Sequence, residues 1–251
     1  VLLWQINDKD MTYCLGIKLK MGLVALADTR LTSGNETTVA KKIYVHQKSK
    51  HSMFIMTSGL RSVRDKAITY FKEVLEENDP KFNKLYKAVN AFAKELRRVA
   101  AEDKQALMDS GYQFNLHAIV GGQLEDDKEP QLFRLYSEGN WVEIGQNTPF
   151  VIIGNSGYGK PILDRVLRYD STMVFAIKTG FLSFDSTRIS ANDVDFPLDL
   201  IIYENNSFNI KEYRYERDEL RAISETWATS LSKGIAQIPD DWTDKIFKSE
   251  A

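Results

Sequence analysis

Met11-Thr12-Tyr13-Cys14-Leu15-Gly16-Ile17-Lys18-Leu19 is the stretch whose reading decides the fold. Tyr13, Leu15, Ile17 and Leu19 alternate with other residues, which is the two-residue period of a strand. Gly22 supplies a tight turn, and Leu23 to Ala27 resumes an apolar strand, so the segment reads as a hairpin. Asp28 then opens Asp28-Thr29-Arg30-Leu31-Thr32, and Lys42-Ile43 follows a short polar loop. Ile43-Tyr44-Val45 and Met53-Phe54-Ile55-Met56 read as a second hairpin that ends at Ser58-Gly59.

Outward from these hairpins come two amphipathic helices, near 60–76 and 82–108. Val63, Ala67, Ile68, Phe71, Val74 and Leu75 mark the first, and Phe82, Leu85, Tyr86, Val89, Phe92, Leu96 and Val99 the second. Glu76 to Pro80 breaks between them. Strands resume at 114–120, 131–135, 141–144 and 150–153. Helical patterns follow at 161–167 and 172–184, strands at 198–203 and 208–215, and a last helix near 218–231. Blocks of strands alternating with pairs of helices predict an α+β fold, a four-layer αββα sandwich of two antiparallel sheets flanked by helices. A doubly wound sheet, with single strands and helices alternating, does not fit.

With 251 residues and 43% hydrophobic side chains, one domain over 12–251 is expected, preceded by a leader over 1–11. A net charge of -2 gives no basic excess for nucleic acid. Apolar runs such as Phe150-Val151-Ile152-Ile153 are too short for a bilayer. Val1-Leu2-Leu3-Trp4 lacks the basic flank of a secretory signal. Cys14 is the single cysteine, so no intrachain disulfide forms and a cytoplasmic home is expected.

Threonine is a poor nucleophile at neutral pH. A threonine at a chain terminus brings its own base, because an α-amine titrates near roughly 7.7–8.0. A nearby ammonium favours the neutral amine and stabilises an alkoxide. Thr12 as nucleophile, Lys42 as that charge, Asp28 as its holder and the Gly59 amide as an oxyanion donor make one such set. Taken singly, each residue has a plainer reading as a strand, turn or loop residue. Their order along the chain, each at a strand end, points to an N-terminal nucleophile hydrolase.

Thr12, the Asp28-Thr29-Arg30-x-Thr32 motif, Lys42-Ile43 and a strand into Ser58-Gly59 resemble a proteasome β-type subunit. The blocks Tyr158-Gly159-Lys160-Pro161-Ile162-Leu163-Asp164-Arg165, Ser183-Phe184-Asp185-Ser186-Thr187 and Pro197-Leu198-Asp199-Leu200-Ile201-Ile202-Tyr203-Glu204 resemble the Anbu branch, the bacterial proteasome-related subunits. Ile223-Ser224-Glu225-Thr226-Trp227 fits as well, so the resemblance spans about residues 11–242. It implies threonine-dependent peptide hydrolysis in rings or helical stacks of the same chain, with no cofactor; the sequence leaves any unfoldase partner open. It also implies Thr12, Asp28 and Lys42 as catalytic residues, and Thr32 and Gly59 as partners of substrate backbone.

Asp185 matches the aspartate that supports the terminal amine. Arg188 stands where a serine is expected after it, so Ser190 is the candidate, with Ser186 its rival. The serine of the family's Gly-Ser-Gly turn is unplaced, since this chain reads Gly154-Asn155-Ser156-Gly157. Arg61 falls where the pocket for the residue before the scissile bond is lined, and would favour acidic side chains. Lys41 is the fallback for Lys42. Two other readings stand beside hydrolysis of peptides: an assembly protein with a vestigial or unprocessed site, and an amidase for a small amide. Cys14 is placed off the Thr12 face by alternation and read as packing. His46, His51 and His117 lack metal-ligand spacing, and no metal is expected. Asp126-Asp127-Lys128-Glu129 reads as a solvated loop.

Overall fold

The computed structural model describes residues 12–33 and 36–247; the leader expected over 1–11 lies outside them. Two units are present, one ending at Glu216 and one beginning at Arg217.

In the first unit, β1 (Tyr13–Leu19), β2 (Gly22–Asp28), β10 (Phe150–Gly154), β11 (Leu198–Glu204) and β12 (Ile210–Tyr215) form one antiparallel sheet in the order β10-β1-β2-β11-β12. The second sheet runs β5-β6-β7-β8-β9, from β5 (Ile43–Lys48), β6 (His51–Gly59), β7 (Leu116–Gln123), β8 (Gln131–Leu135) and β9 (Trp141–Glu143). Helices α1 (Arg61–Asn78) and α2 (Leu85–Asp109) cover the second sheet. Helices α3 (Lys160–Val166) and α4 (Met173–Ser190) pair on the other side, where α4 packs on β1 and β2. The expected αββα sandwich is therefore the fold.

Every residue of β1 and β2 is buried. Cys14, Leu23, Ala25 and Ala27 face the core between the sheets, with Phe54, Met56, Ile119 and Leu132 opposite. Leu15, Ile17 and Leu26 lie against Gly180 of α4, where a Cβ would come within 2.7 Å of Leu26 Cδ1. Burial on both faces explains why these strands read as nearly continuous apolar runs. A separate core fills the space between the second sheet and α1–α2, where Phe71 and Phe92 meet edge to face at 5.3 Å. Truncating such a fully buried phenylalanine costs about 3–5 kcal/mol.

The stretch between Asp28 and Lys42, expected as a loop, contains a small ribbon of β3 (Arg30–Ser33) and β4 (Glu36–Val39). Thr172 caps α4 by accepting from the Phe175 N–H, a bond worth about 1 kcal/mol. His46 and His51 both meet Asp79 Oδ1, at 2.8 and 3.1 Å, and tie the β5–β6 hairpin to the turn after α1. Asp126 and Asp127, read as a solvated loop, instead bond to Asn83 and to the Leu85 and Leu124 amides. In the second unit, α5 (Arg217–Ala236) carries Asp218 and Glu219 in its first turn and Lys233 in its last, the order that suits the helix dipole. A single 3-10 turn (Asp241–Thr243) and α6 (Asp244–Phe247) follow it.

Candidate active site

Thr12 sits at the head of β1 and is 6% exposed. Its carbonyl accepts from the Asn155 N–H at 2.7 Å. Gly154, just before, adopts φ +85; a Cβ there would fall 2.0 Å from the Thr12 oxygen, so only glycine lets the turn close on the threonine. On the far side of the residue, the Tyr13 N–H donates to Asp28 Oδ1 at 2.8 Å. The same oxygen accepts from Lys42 Nζ at 2.7 Å. This pair is closed off from water, with side-chain exposures of 0% for Asp28 and 4% for Lys42. Burial pushes the Asp28 carboxyl up to about 6, against the pull of Lys42 and of the Tyr13 N–H.

Thr12, Lys42 and Gly59 line one small cavity, together with Ala40, Thr57, Arg61 and Arg64. Gly59 ends β6 at φ +131, where a Cβ would strike the Asn115 carbonyl at 2.2 Å. That conformation turns the chain from sheet into α1 directly beside the threonine. Lys41, the fallback, points elsewhere and pairs with Glu212. Arg61 lines the cavity, with its side chain 64% exposed. Arg64, which the sequence reading missed, is more enclosed at 21%. It donates to the Lys41 carbonyl and to Asp65 Oδ1. The signal that finds it is helical spacing: three residues on from Arg61, it shares that face of α1. Thr32 pairs with Thr37 in the ribbon, and its side chain lies outside the described residues.

Asp185 is buried in α4, whose Ser183 accepts from the Tyr13 hydroxyl at 2.7 Å and so ties the helix to the strand that Thr12 heads. Arg188 meets Asp185 Oδ1 through Nε at 2.8 Å and Nη2 at 2.6 Å, and lies over Phe196. Ser190, expected as the companion of Asp185, ends the helix and is exposed. Five residues on, it stands about 140° round the helix, whereas Arg188 at three residues shares the aspartate's face. Ser156, of the Gly154-Asn155-Ser156-Gly157 segment, follows the asparagine that holds the Thr12 carbonyl.

Cys14 needs a correction. Residues two apart on a strand share a face, so Cys14 follows Thr12 on the same side. It is fully buried, with Sγ 3.8 Å from the Thr57 carbonyl. Burial raises its thiol far above the ordinary range despite the nearby Lys42; burial, not orientation, makes it inert. Among the described residues no group of three or more His, Cys, Asp or Glu is placed to hold a metal ion. No described helix is long and apolar enough to cross a membrane.

Comparison with known proteins extends the geometry. The proteasome subunit family matches residues 10–188. Anbu (Gly-1) mutant from Hyphomicrobium sp. strain MC1 is 32% identical with a TM-score of 0.84, covering 90% of this chain and 99% of that one. Anbu (ancestral beta-subunit) from Yersinia bercovieri is 29% identical with a TM-score of 0.84, covering 91% and 98%. The Anbu complex from Pseudomonas aeruginosa, solved as a helical assembly, is 28% identical with a TM-score of 0.82, covering 91% and 97%. A search of curated proteins returned no match. The chain belongs to the proteasome subunit family, as an Anbu-type proteasome-related subunit with the N-terminal nucleophile hydrolase fold.

Proposed function

We propose that this chain is a threonine peptidase whose nucleophile is Thr12 Oγ. The observation that carries the reading is the buried Asp28–Lys42 pair at 2.7 Å, on the same cavity as Thr12 and Gly59. The Lys42 ammonium lowers the cost of an alkoxide at Thr12 and keeps a terminal amine neutral. The amine takes the hydroxyl proton, Oγ attacks the scissile carbonyl, and the oxyanion is met by the Gly59 N–H. Collapse expels the leaving amine, which takes the proton. Water then resolves the acyl-enzyme by the reverse proton path. Asp185, fixed by Arg188, supports the amine; Thr32 and Gly59 hold substrate backbone. Arg61 and Arg64 bias the cavity toward an acidic side chain before the scissile bond. No cofactor enters any step.

Substrates are peptides or unfolded protein, and the working form is a homo-oligomer in the cytoplasm. The relative solved as a helical assembly supports self-association. The chemistry requires Thr12 to be the first residue, because with residues 1–11 attached its nitrogen is an amide and no base. The test compares a protein beginning at Thr12 with one that keeps residues 1–11. A β-lactone should add once to the short form, on Thr12 by peptide mass, and not to the long form or to Thr12→Ala. An adduct on Cys14, or equal labelling of both forms, refutes the reading.

A further inference from the structure

A cleft of about 250 Å³ opens at the edge of the sandwich where β9 and β10 are the outermost strands. It shares no lining residue with the threonine cavity. Alternation along β8 puts Leu132, Arg134 and Tyr136 on one side and Phe133 and Leu135 on the other. Leu132 lies in the core between the sheets, whereas Phe133 and Leu135 lie in the core under the helices. Arg134 therefore faces the opposite sheet, at a position where the pattern of the strand asks for an apolar side chain.

The guanidinium is held but not neutralised. It lies over the Tyr136 ring at 4.8 Å, and its Nε is buried with no hydrogen-bond partner. Among the described residues no carboxylate pairs with it. Lys160, at the same cleft, has its charge met by Asp164 at 2.6 Å. Arg134 is thus the cation of this cleft that lacks a counter-ion. The side chain is partly exposed at the cleft, so a carboxylate arriving there meets a guanidinium that no protein acid neutralises. Val142, Ile144 and Phe150 join Tyr136 in an apolar wall. A guanidinium fork at one end of an apolar slot matches a carboxylate carried on a compact apolar body.

We infer that this cleft is a binding site for a small amphipathic carboxylate, which Arg134 takes through its Nη groups. The inference stands apart from peptide hydrolysis, since it uses none of the threonine centre. The Thr148 and Ser156 hydroxyls at the lining supply further donors to the second carboxylate oxygen.

Equilibrium dialysis of the full chain with radiolabelled benzoate tests it. One saturable site per subunit at millimolar affinity or tighter is expected, and benzamide, isosteric but uncharged, should not compete. Arg134→Gln should weaken binding roughly ten- to a hundredfold, the worth of a charge-assisted hydrogen bond, and Arg134→Lys less. Val142→Trp fills the slot without touching the charge and should also abolish binding; it serves if the arginine variants misfold. Absence of saturable binding by the natural chain overturns the inference. So does unchanged binding by Arg134→Gln of the same particle size, or competition by benzamide equal to that of benzoate. An acetylated, amidated glutamate peptide that displaces benzoate assigns the site to peptide carboxylates; one that does not assigns it to free acids, and either upholds it.

Discussion

Removing one member of the Asp28–Lys42 pair should cost far more than removing both. Both side chains are enclosed, at 0% and 4% exposure. Lys42→Met strands a buried carboxylate that keeps only backbone donors, the Tyr13 N–H among them. Asp28→Asn still accepts from Tyr13 but strands a buried ammonium. Breaking a buried pair from one side costs about 3–5 kcal/mol, while replacing both charges is close to neutral. Each single variant should therefore lose about 3–5 kcal/mol. The double variant should be less destabilised than either single, well short of their sum, because no unpaired charge is left buried. Urea midpoints at fixed subunit concentration measure this, with the slope checked for constancy. The β-lactone acylation rate of protein beginning at Thr12 gives the chemical counterpart: both singles should lose most of the rate, and the double little more. Additivity within about 0.5 kcal/mol, or retained acylation in Lys42→Met, would refute the idea that the two act as one charged unit.

Other expectations follow from the same geometry. Asp28 has its folded pKa raised from 3.8 to about 6, so the folded state binds the extra proton between those values. Its contribution to stability is thus fully present below pH 3.8 and is lost as pH rises through about 6; Asp28→Asn should flatten that part of a stability-against-pH curve. Acylation should show an acid limb near the same value, where protonation deprives Lys42 of its counter-charge, and the limb should vanish in Asp28→Asn. For peptides differing only in glutamate or leucine before the scissile bond, Arg64→Ala should cut the preference for glutamate more than Arg61→Ala does, by roughly tenfold in kcat/KM, since its guanidinium is the more enclosed. Light scattering should give a particle many times 28.7 kDa; a stable monomer at micromolar concentration would contradict the proposed assembly.

The sandwich was legible because strand and helix periods are carried by many residues at once. Burial on both faces left β1 and β2 as apolar runs bounded by Thr12 and Asp28, and Pro80 marked the end of α1 as expected. The Asp28–Lys42 contact followed from motif order and resemblance, not from local pattern, since fourteen residues and an irregular ribbon separate the two. Arg188 shows the opposite limit. Its spacing was noticed, yet composition alone gives no reason for a guanidinium to replace a hydroxyl; only the bidentate approach to Asp185 supplies one. The ribbon from Arg30 to Val39 escaped because four-residue strands of mixed polarity have no period to detect. Cys14 shows how an alternation argument fails when the parity is taken wrongly, although the conclusion of inertness survives on burial.

Two backbone bonds that hold Thr12, the proposed nucleophile, both lie downstream of its nitrogen: Thr12 C=O to Asn155 and Tyr13 N–H to Asp28. Neither depends on what is attached at the other end of the residue. For a threonine hydrolase this makes latency a matter of one functional group. Conversion of an amide to an amine would arm the centre while leaving its scaffold as it was, so the onset of activity would track the covalent event with no folding lag behind it. Such a switch needs no refolding, so its timing would follow the rate of the bond cleavage alone.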